Sequence, residues 1–386
     1  MSLISRTFRL VIDYSLLLVA GTVVALVWAN LDHDSYETVA HALEFVVNDI
    51  GMAFFFALAA KEVFESTLPG GALSSPRESA VPILAAIGGM AVPAGMYLAF
   101  VHGYGLPELA RGWAVPCATD IAFSYLVARI AFPPGSPAIP FLLLLAIVDD
   151  ALGLVLLATF YPQSAISLGW FIGPVALAMA MSWMLRRGRV RSFWPYVLLA
   201  GTCSWIGFHQ GGIHPALALV PIVPFMPHRM MDVGIYEPSE EHGADTLSQF
   251  EHWWKVPVQV VLGVFGFANA GVHLAAIGAG TLIVLVSLVV GKPIGIAGFT
   301  WLAERCGFRR AHGLSWADVV VLGIVAGIGF TVALFFAVAA FPQGELLDQA
   351  RMGALLSFIA APLALLLARM RRLVPARAPR PASAEE

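Results

Sequence analysis

The sequence is poor in charge. Asp, Glu, Lys and Arg make up 12% of its 386 residues, about half the share of a soluble globular domain. With hydrophobic residues at 59%, that scarcity excludes a chain that keeps its whole surface in water. Cysteine is nearly absent as well. Cys117, Cys203 and Cys306 stand apart from one another, which excludes a disulfide framework and a zinc site of the paired-thiol kind. No small-residue cleavage site follows the first apolar run, so that run is expected to stay as a helix and not to be removed as a signal peptide. The net charge of −3 decides little; the placement of the charges decides more.

What is abundant is apolar runs about twenty residues long, the length that crosses a hydrocarbon core of ~30 Å as a helix. They fall at 10–30, 46–66, 80–102, 112–131, 137–161, 165–185, 193–208, 213–227, 255–272, 279–303, 316–341 and 351–369. The runs at 193–208, 213–227 and 255–272 are the shortest. With the amino terminus inside, eighteen of the 22 basic residues fall in inner segments, among them Arg77, Arg129, Arg186, Arg187, Arg305, Arg309 and Arg310. Only Arg111 and Arg351 reach the other face, while Lys61 and Lys292 lie within spans. This is a strong positive-inside bias. The expected fold is therefore an all-α polytopic membrane protein of about twelve transmembrane helices with both termini cytoplasmic. Residues 1–372 are expected to form a single transporter domain. The Pro-, Ala- and charge-rich tail over 373–386 is expected to be disordered.

Ionisable groups deep in such spans are costly, at ~2.5–3.5 kcal/mol or more each, and mark function. Asp149 and Asp150 sit mid-span in LLLLAIVDDALGLVLLATF, Lys292 sits centrally in VSLVVGKPIGIAGF, and Asp120 lies in AVPCATDIAFSYL beside Thr119. Three acids and one base at similar depth imply one polar cavity. Two spans also look interrupted: the fourth by Pro116, which lacks a backbone donor, and the eleventh by Gly327 and Gly329, which weaken a helix. Spans three to five and ten to twelve each read as helix, broken helix, helix, and they start on opposite faces. Inverted repeats with paired broken helices are the arrangement of secondary transporters that bind ions at the midplane. Helix amino ends are partly positive and carboxyl ends partly negative; Asp120 suits the former and Lys292 the latter. Carboxylates are hard oxygen ligands for a small cation, and a carboxyl withdrawn from water also holds a proton more readily. A site that takes sodium or protons, but not both at once, is the core of an antiporter.

At these residues the chain resembles the NhaA-type sodium/proton antiporters. The resemblance rests on an ordered set: VNDIGMAFFF, the Glu62-Val63 pair, ILAAIGGMAVPAGMYLAF, GWAVPCATDIAF, LAIVDDALG, GGIHPALA, FEHWW, FANAGV, GKPIGI and GIGFTVALF. It spans roughly residues 10 to 370. It implies electrogenic export of Na+, with Li+ beside it, in exchange for protons across the bacterial inner membrane, in the service of pH and sodium homeostasis. It further implies that Asp150 is the principal carboxylate for Na+ and protons. Asp149 would alternate between Lys292 and release, with Thr119 and Asp120 completing the centre. Glu62, Glu251 and His252 become candidates for a response to pH, next to a loop carrying Glu237, Glu240, Glu241, His242 and Asp245. The resemblance implies no cofactor beyond the transported ions, and no nucleic-acid partner. A homodimer is conceivable, but the link LDHDSYETVAHALEF is too short for the β-hairpin that many relatives use for dimer contacts.

Plainer readings apply to some of these residues. Lys61, beside Glu62, is about a turn and a half from the inner end and is expected to snorkel to it. Asn48 and Asp49 are expected to cap a helix. His214, before Pro215, is read as a packing or helix-start residue, and His209 has no assignable role. An enzyme is not expected. An intramembrane aspartyl protease needs two acids that face each other, and a prenyl-diphosphate enzyme would want further acids after the aspartate pair. The remaining alternative is a sodium-coupled solute transporter of the same inverted-repeat fold.

Overall fold

The computed structural model describes residues 15–228 and 245–373. The loop acids Glu237, Glu240 and Glu241, with His242, the basic residues Arg6, Arg9 and Arg229, and the tail after residue 373 lie outside the described residues. Every regular element within them is helical. Such a result follows from the solvent: in lipid a helix satisfies its backbone donors and acceptors within itself, and an open strand edge cannot.

Helix α1 (Leu16–Leu31) leads into α2 (His33–Glu44), a π turn (Phe45–Gly51) and α3 (Met52–Thr67). The link after the first span is thus helical, with Asp32 accepting from the backbone N–H of Ser35 (3.2 Å) as its amino-terminal cap. Helix α4 (Pro76–Gly103) is followed by a 3-10 helix (Pro107–Cys117), α5 (Ile121–Ala131), α6 (Ala138–Phe160) and α7 (Leu168–Arg187). A π turn (Tyr196–Gly201) opens α8 (Thr202–Gln210), and α9 (Thr246–Ala270) comes next. Helices α10 (Ala279–Val286) and α11 (Lys292–Arg305) are joined by a π turn (Ser287–Gly291). The chain closes with α12 (Trp316–Ala326), α13 (Phe330–Ala340), α14 (Glu345–Leu356) and α15 (Ala360–Leu373).

By length and composition, six of the described helices can each cross a membrane, and two bent pairs can do so as broken spans. The pair before and after residues 118–120 is bent by 54°, and α12 and α13 by 49°. Both breaks fall where Pro116, Gly327 and Gly329 were expected to place them. These eight fall short of the twelve expected spans, and one stretch differs in conformation. Over 213–227 the chain forms no α-helix but a succession of tight turns, with 3-10 geometry at Pro215–Leu217 and Val223–Phe225. Pro215, Pro221 and Pro224 lack the donors that an α-helix would need there.

The two three-element repeats meet face to face and run in opposite directions. Helix α4 crosses α11 so closely that a Cβ on Gly295 would lie 2.0 Å from the carbonyl oxygen of Gly88, while Gly291 packs on Pro93. Small residues let backbones approach in this way where lipid gives apolar side chains no reason to associate. A second such crossing joins α1 and α9 at Gly21 and Gly263. Large apolar side chains such as Val24, Val155, Leu177, Ile206 and Ile294 point outward and are more than 40% exposed, as a surface facing acyl chains requires.

Candidate functional site

The two breaks cross at the centre of the bundle. The backbone N–H of Asp120 donates to the carbonyl of Ile328 (2.8 Å), and the Ser124 hydroxyl donates to that of Val325 (2.9 Å). Asp120 then serves two helix starts. Its Oδ1 accepts from the N–H of Phe123 (3.2 Å) in α5, while its Oδ2 accepts from the N–H of Thr331 (3.1 Å) and from the Thr331 hydroxyl in α13. A buried carboxylate at two amino-terminal ends balances their partial positive charge. The carboxyl end of the 3-10 helix finds the opposite partner, since the Lys292 ammonium donates to the carbonyl of Cys117 (2.5 Å).

Lys292 is wholly buried, and its Nζ also lies 3.4 Å from Oδ2 of Asp149. That same oxygen accepts from the Thr119 hydroxyl (2.6 Å). The other oxygen, Oδ1, is buried and receives no hydrogen bond among the described residues. Asp150 is half-buried one residue on, and its carboxylate takes no hydrogen bond or ion pair among the described residues. Thus Asp149, Lys292, Thr119 and Asp120 are brought together by the broken helices, and Asp150 stands beside them facing open space.

That space is a cavity of about 290 Å³ whose lining includes Lys61, Glu62, Glu251, Gln259, Asp120 and Asp150. It runs from the ends of α3 and α9 down to Asp150. On the far side the two aspartates line only a residual gap of about 10 Å³ with Phe56, Leu157 and Phe336, about the least that holds one water. Beyond lies a septum of rings: Phe56 against Phe335 (4.9 Å), Phe335 against His214 (4.8 Å) and Phe336 against Tyr161 (5.7 Å). The wide depression at the opposite end, lined by His41, Asp49, Arg111 and His214 among others, shares no lining residue with the first cavity. Among the described residues the open cavity thus reaches Asp150 from one end, and Asp149 lines only the small gap behind it.

Several expectations are corrected. Lys61 does not snorkel. Its side chain is 8% exposed and holds Glu65 and Glu251, each at 2.6 Å, because α9 begins far enough upstream to set Glu251 opposite it. His252 is exposed on a different face of α9 from Glu251 and does not line the cavity. Asn48 and Asp49 cap no helix: Asn48 lies within a continuous helix and exchanges amide hydrogen bonds with buried Asn269 (3.2 and 2.9 Å), while Asp49 accepts from Gln163 (3.4 Å). His214 is buried and accepts from the N–H of Ala216 (3.3 Å), the local helix-start role expected of it. His209 stacks on Trp205. Sequence reasoning missed Thr331 and Glu65. A hydroxyl two residues after a glycine break could have flagged Thr331; Glu65 carries no local signal beyond its i,i+4 spacing from Lys61.

Antiparallel repeats, two crossed breaks and a one-ended cavity that stops at paired carboxylates define an ion-coupled secondary transporter. Residues 6–368 match the family described as Na+/H+ antiporter 1. The Na(+)/H(+) antiporter NhaA 2 of Pelobacter propionicus is 45% identical over 377 residues, covering 95% of this chain and 98% of that protein. The NhaA antiporter of Jannaschia sp. is 42% identical over 414 residues, with 95% and 98% covered. That of Geobacter sulfurreducens is 42% identical over 373 residues, with 94% and 97% covered. Among solved structures, the sodium proton antiporter MjNhaP1 of Methanocaldococcus jannaschii superposes with a TM-score of 0.53 at 14% identity, covering 93% of this chain and 90% of that one, and so shares the fold. The chain belongs to the NhaA family of Na+/H+ antiporters.

Proposed function

We propose that this chain exports Na+, and Li+ with it, in exchange for protons, and that Asp150 is the group that takes one or the other. The observation that carries the assignment is Asp150 itself. It lies at the floor of the cavity, in contact with open space, while every other charged group at the centre is engaged. A cation arriving there would find the Asp150 carboxylate and the unused Oδ1 of Asp149 as hard oxygen ligands. Drawing Asp149 toward the cation would loosen its contact with Lys292, and protonating Asp150 would reverse the step. Exchange of protons in excess of sodium makes the cycle electrogenic. Rocking of the crossed repeats about the site would then open the opposite end.

The positive-inside bias of the sequence supports a bacterial inner-membrane location with the cavity end and both termini cytoplasmic. Residues 1–372 act as one transporter domain. Glu62 and Glu251 at the cavity mouth are the groups best placed to make loading depend on pH, and with it the role in pH and sodium homeostasis. Asp150→Asn is expected to abolish sodium-driven dequenching of a pH dye in inverted vesicles while leaving the protein inserted at wild-type level. Wild-type exchange by that variant would overturn the assignment.

A further inference from the structure

The arginine-rich end holds a second cavity, of about 850 Å³, that the transport site does not use. Its walls are apolar: Val81 and Pro82 of α4, with Phe141 and Leu144 of α6. Its rim is cationic: Arg77 at the start of α4, and Arg309 and Arg310 in the link between α11 and α12. Among the described residues, no acidic residue lines it.

The three guanidiniums are incompletely used. Arg77 and Arg309 are exposed and make no ion pair among the described residues. Arg310 gives its Nε to Glu304 and lies over Trp316 at 4.3 Å, yet its Nη1 is buried with no acceptor among the described residues. A buried guanidinium nitrogen without an acceptor costs free energy, and an anion in the cavity would supply one.

Depth and surroundings narrow the anion. Trp301 and Trp316 are 50% and 38% exposed on the two helices that the link joins, and each lies beneath an arginine. Tryptophan so placed marks the boundary between headgroups and acyl chains. The same side of α11 presents exposed Ile294 and Leu302. An apolar wall below a cationic rim, at the depth of lipid phosphates, matches one molecule at both ends.

We propose that this cavity binds an anionic phospholipid, with the headgroup phosphate on Arg77, Arg309 and Arg310 and the first acyl carbons against Val81, Phe141 and Leu144. Arginine forks suit phosphate oxygens, and basic pockets between membrane helices are built for such headgroups. The bound lipid bridges α4 and α6, from the first repeat, to the α11–α12 link of the second.

The test is native mass spectrometry of the full-length protein in detergent, titrated with phosphatidylglycerol, with phosphatidylcholine, and with inorganic phosphate as competitor. Wild type is expected to retain phosphatidylglycerol in preference to phosphatidylcholine and to keep it when inorganic phosphate is added. Arg77→Gln with Arg309→Gln should weaken that retention about tenfold or more. Leu144→Trp, which fills the cavity and keeps every charge, should weaken it too, so a folding defect of the double variant does not shelter the proposal. Arg187→Gln, at the same end but outside the cavity, should bind as wild type does. Retention unchanged in both cavity variants would overturn the site. Displacement of lipid by inorganic phosphate would overturn the phospholipid as its occupant.

Discussion

Replacing Lys61 by methionine keeps the stem of the side chain and removes its charge, so it isolates the contacts to Glu65 and Glu251. Loss of one partner from a fully buried pair costs about 3–5 kcal/mol, whereas exposed pairs contribute ~0.2–1 kcal/mol. Lys61 is 8% exposed, but Glu65 and Glu251 are 29% and 43% exposed, so water screens the acids once the ammonium is gone. The expected loss therefore lies between the limits, at about 1–2 kcal/mol, and appears as a lower Tm of the detergent-solubilised protein. A double-mutant cycle with Glu251→Gln separates the pair from general packing: the two losses should fall short of additivity by about 0.5–1.5 kcal/mol. The same change makes the cavity mouth more negative by one charge. Apparent KM for Na+ in inverted vesicles is then expected to fall at low ionic strength, and the difference should shrink near 0.15 M salt, where the screening length is about 8 Å. Strict additivity in the cycle together with an unchanged KM at low salt would refute a paired Lys61 in the cation's path.

Thr331→Val removes the hydroxyl that donates to Asp120 and leaves that oxygen one N–H donor. The expected loss of stability is about 1–3 kcal/mol, read by chemical or thermal unfolding, and a variant as stable as wild type would show that the hydroxyl bond to Asp120 contributes nothing. Gly295→Ala puts a methyl 2.0 Å from the Gly88 carbonyl oxygen, whereas Gly298→Ala on the same helix meets no atom within 4 Å. The first should lower folded yield and Tm; the second should change little or stabilise by about 0.4–1 kcal/mol, and equal behaviour of the two would argue against the close crossing.

The central residues were legible because the membrane makes them so. An aspartate pair or a lysine inside an apolar run has no cheap structural excuse, and Asp149, Asp150, Lys292 and Asp120 do converge. The breaks were legible for a similar reason, since Pro116, Gly327 and Gly329 disturb a helix wherever it packs. What stayed hidden depends on distant parts of the chain. The partner of Lys61 lies 190 residues away on α9, and no local pattern distinguishes an ammonium that reaches water from one that reaches Glu251. The Asn48–Asn269 pair is equally remote. The turns over 213–227 were hidden by composition, because their residues are apolar and buried like those of a helix and only the repeated prolines betray them. The arginine-rimmed cavity read as mere positive-inside bias, since sequence counts charges on a face without showing which of them share a rim.

One turn of backbone sets the aim of the buried lysine. Ser287–Gly291 is wound as a π turn immediately before Lys292, and such a turn carries one residue more than the α-helical turn it replaces. Each residue advances an α-helix by ~100°, so winding these same five residues as α-helix would swing everything downstream by about that angle relative to α10. The ammonium would leave the Cys117 carbonyl and Asp149, and Gly295 would leave its seat on Gly88. The transport centre thus depends on how this turn is wound as well as on residue identity: a change that kept every side chain but tightened Ser287–Gly291 into α-helix would keep the motif and lose the geometry.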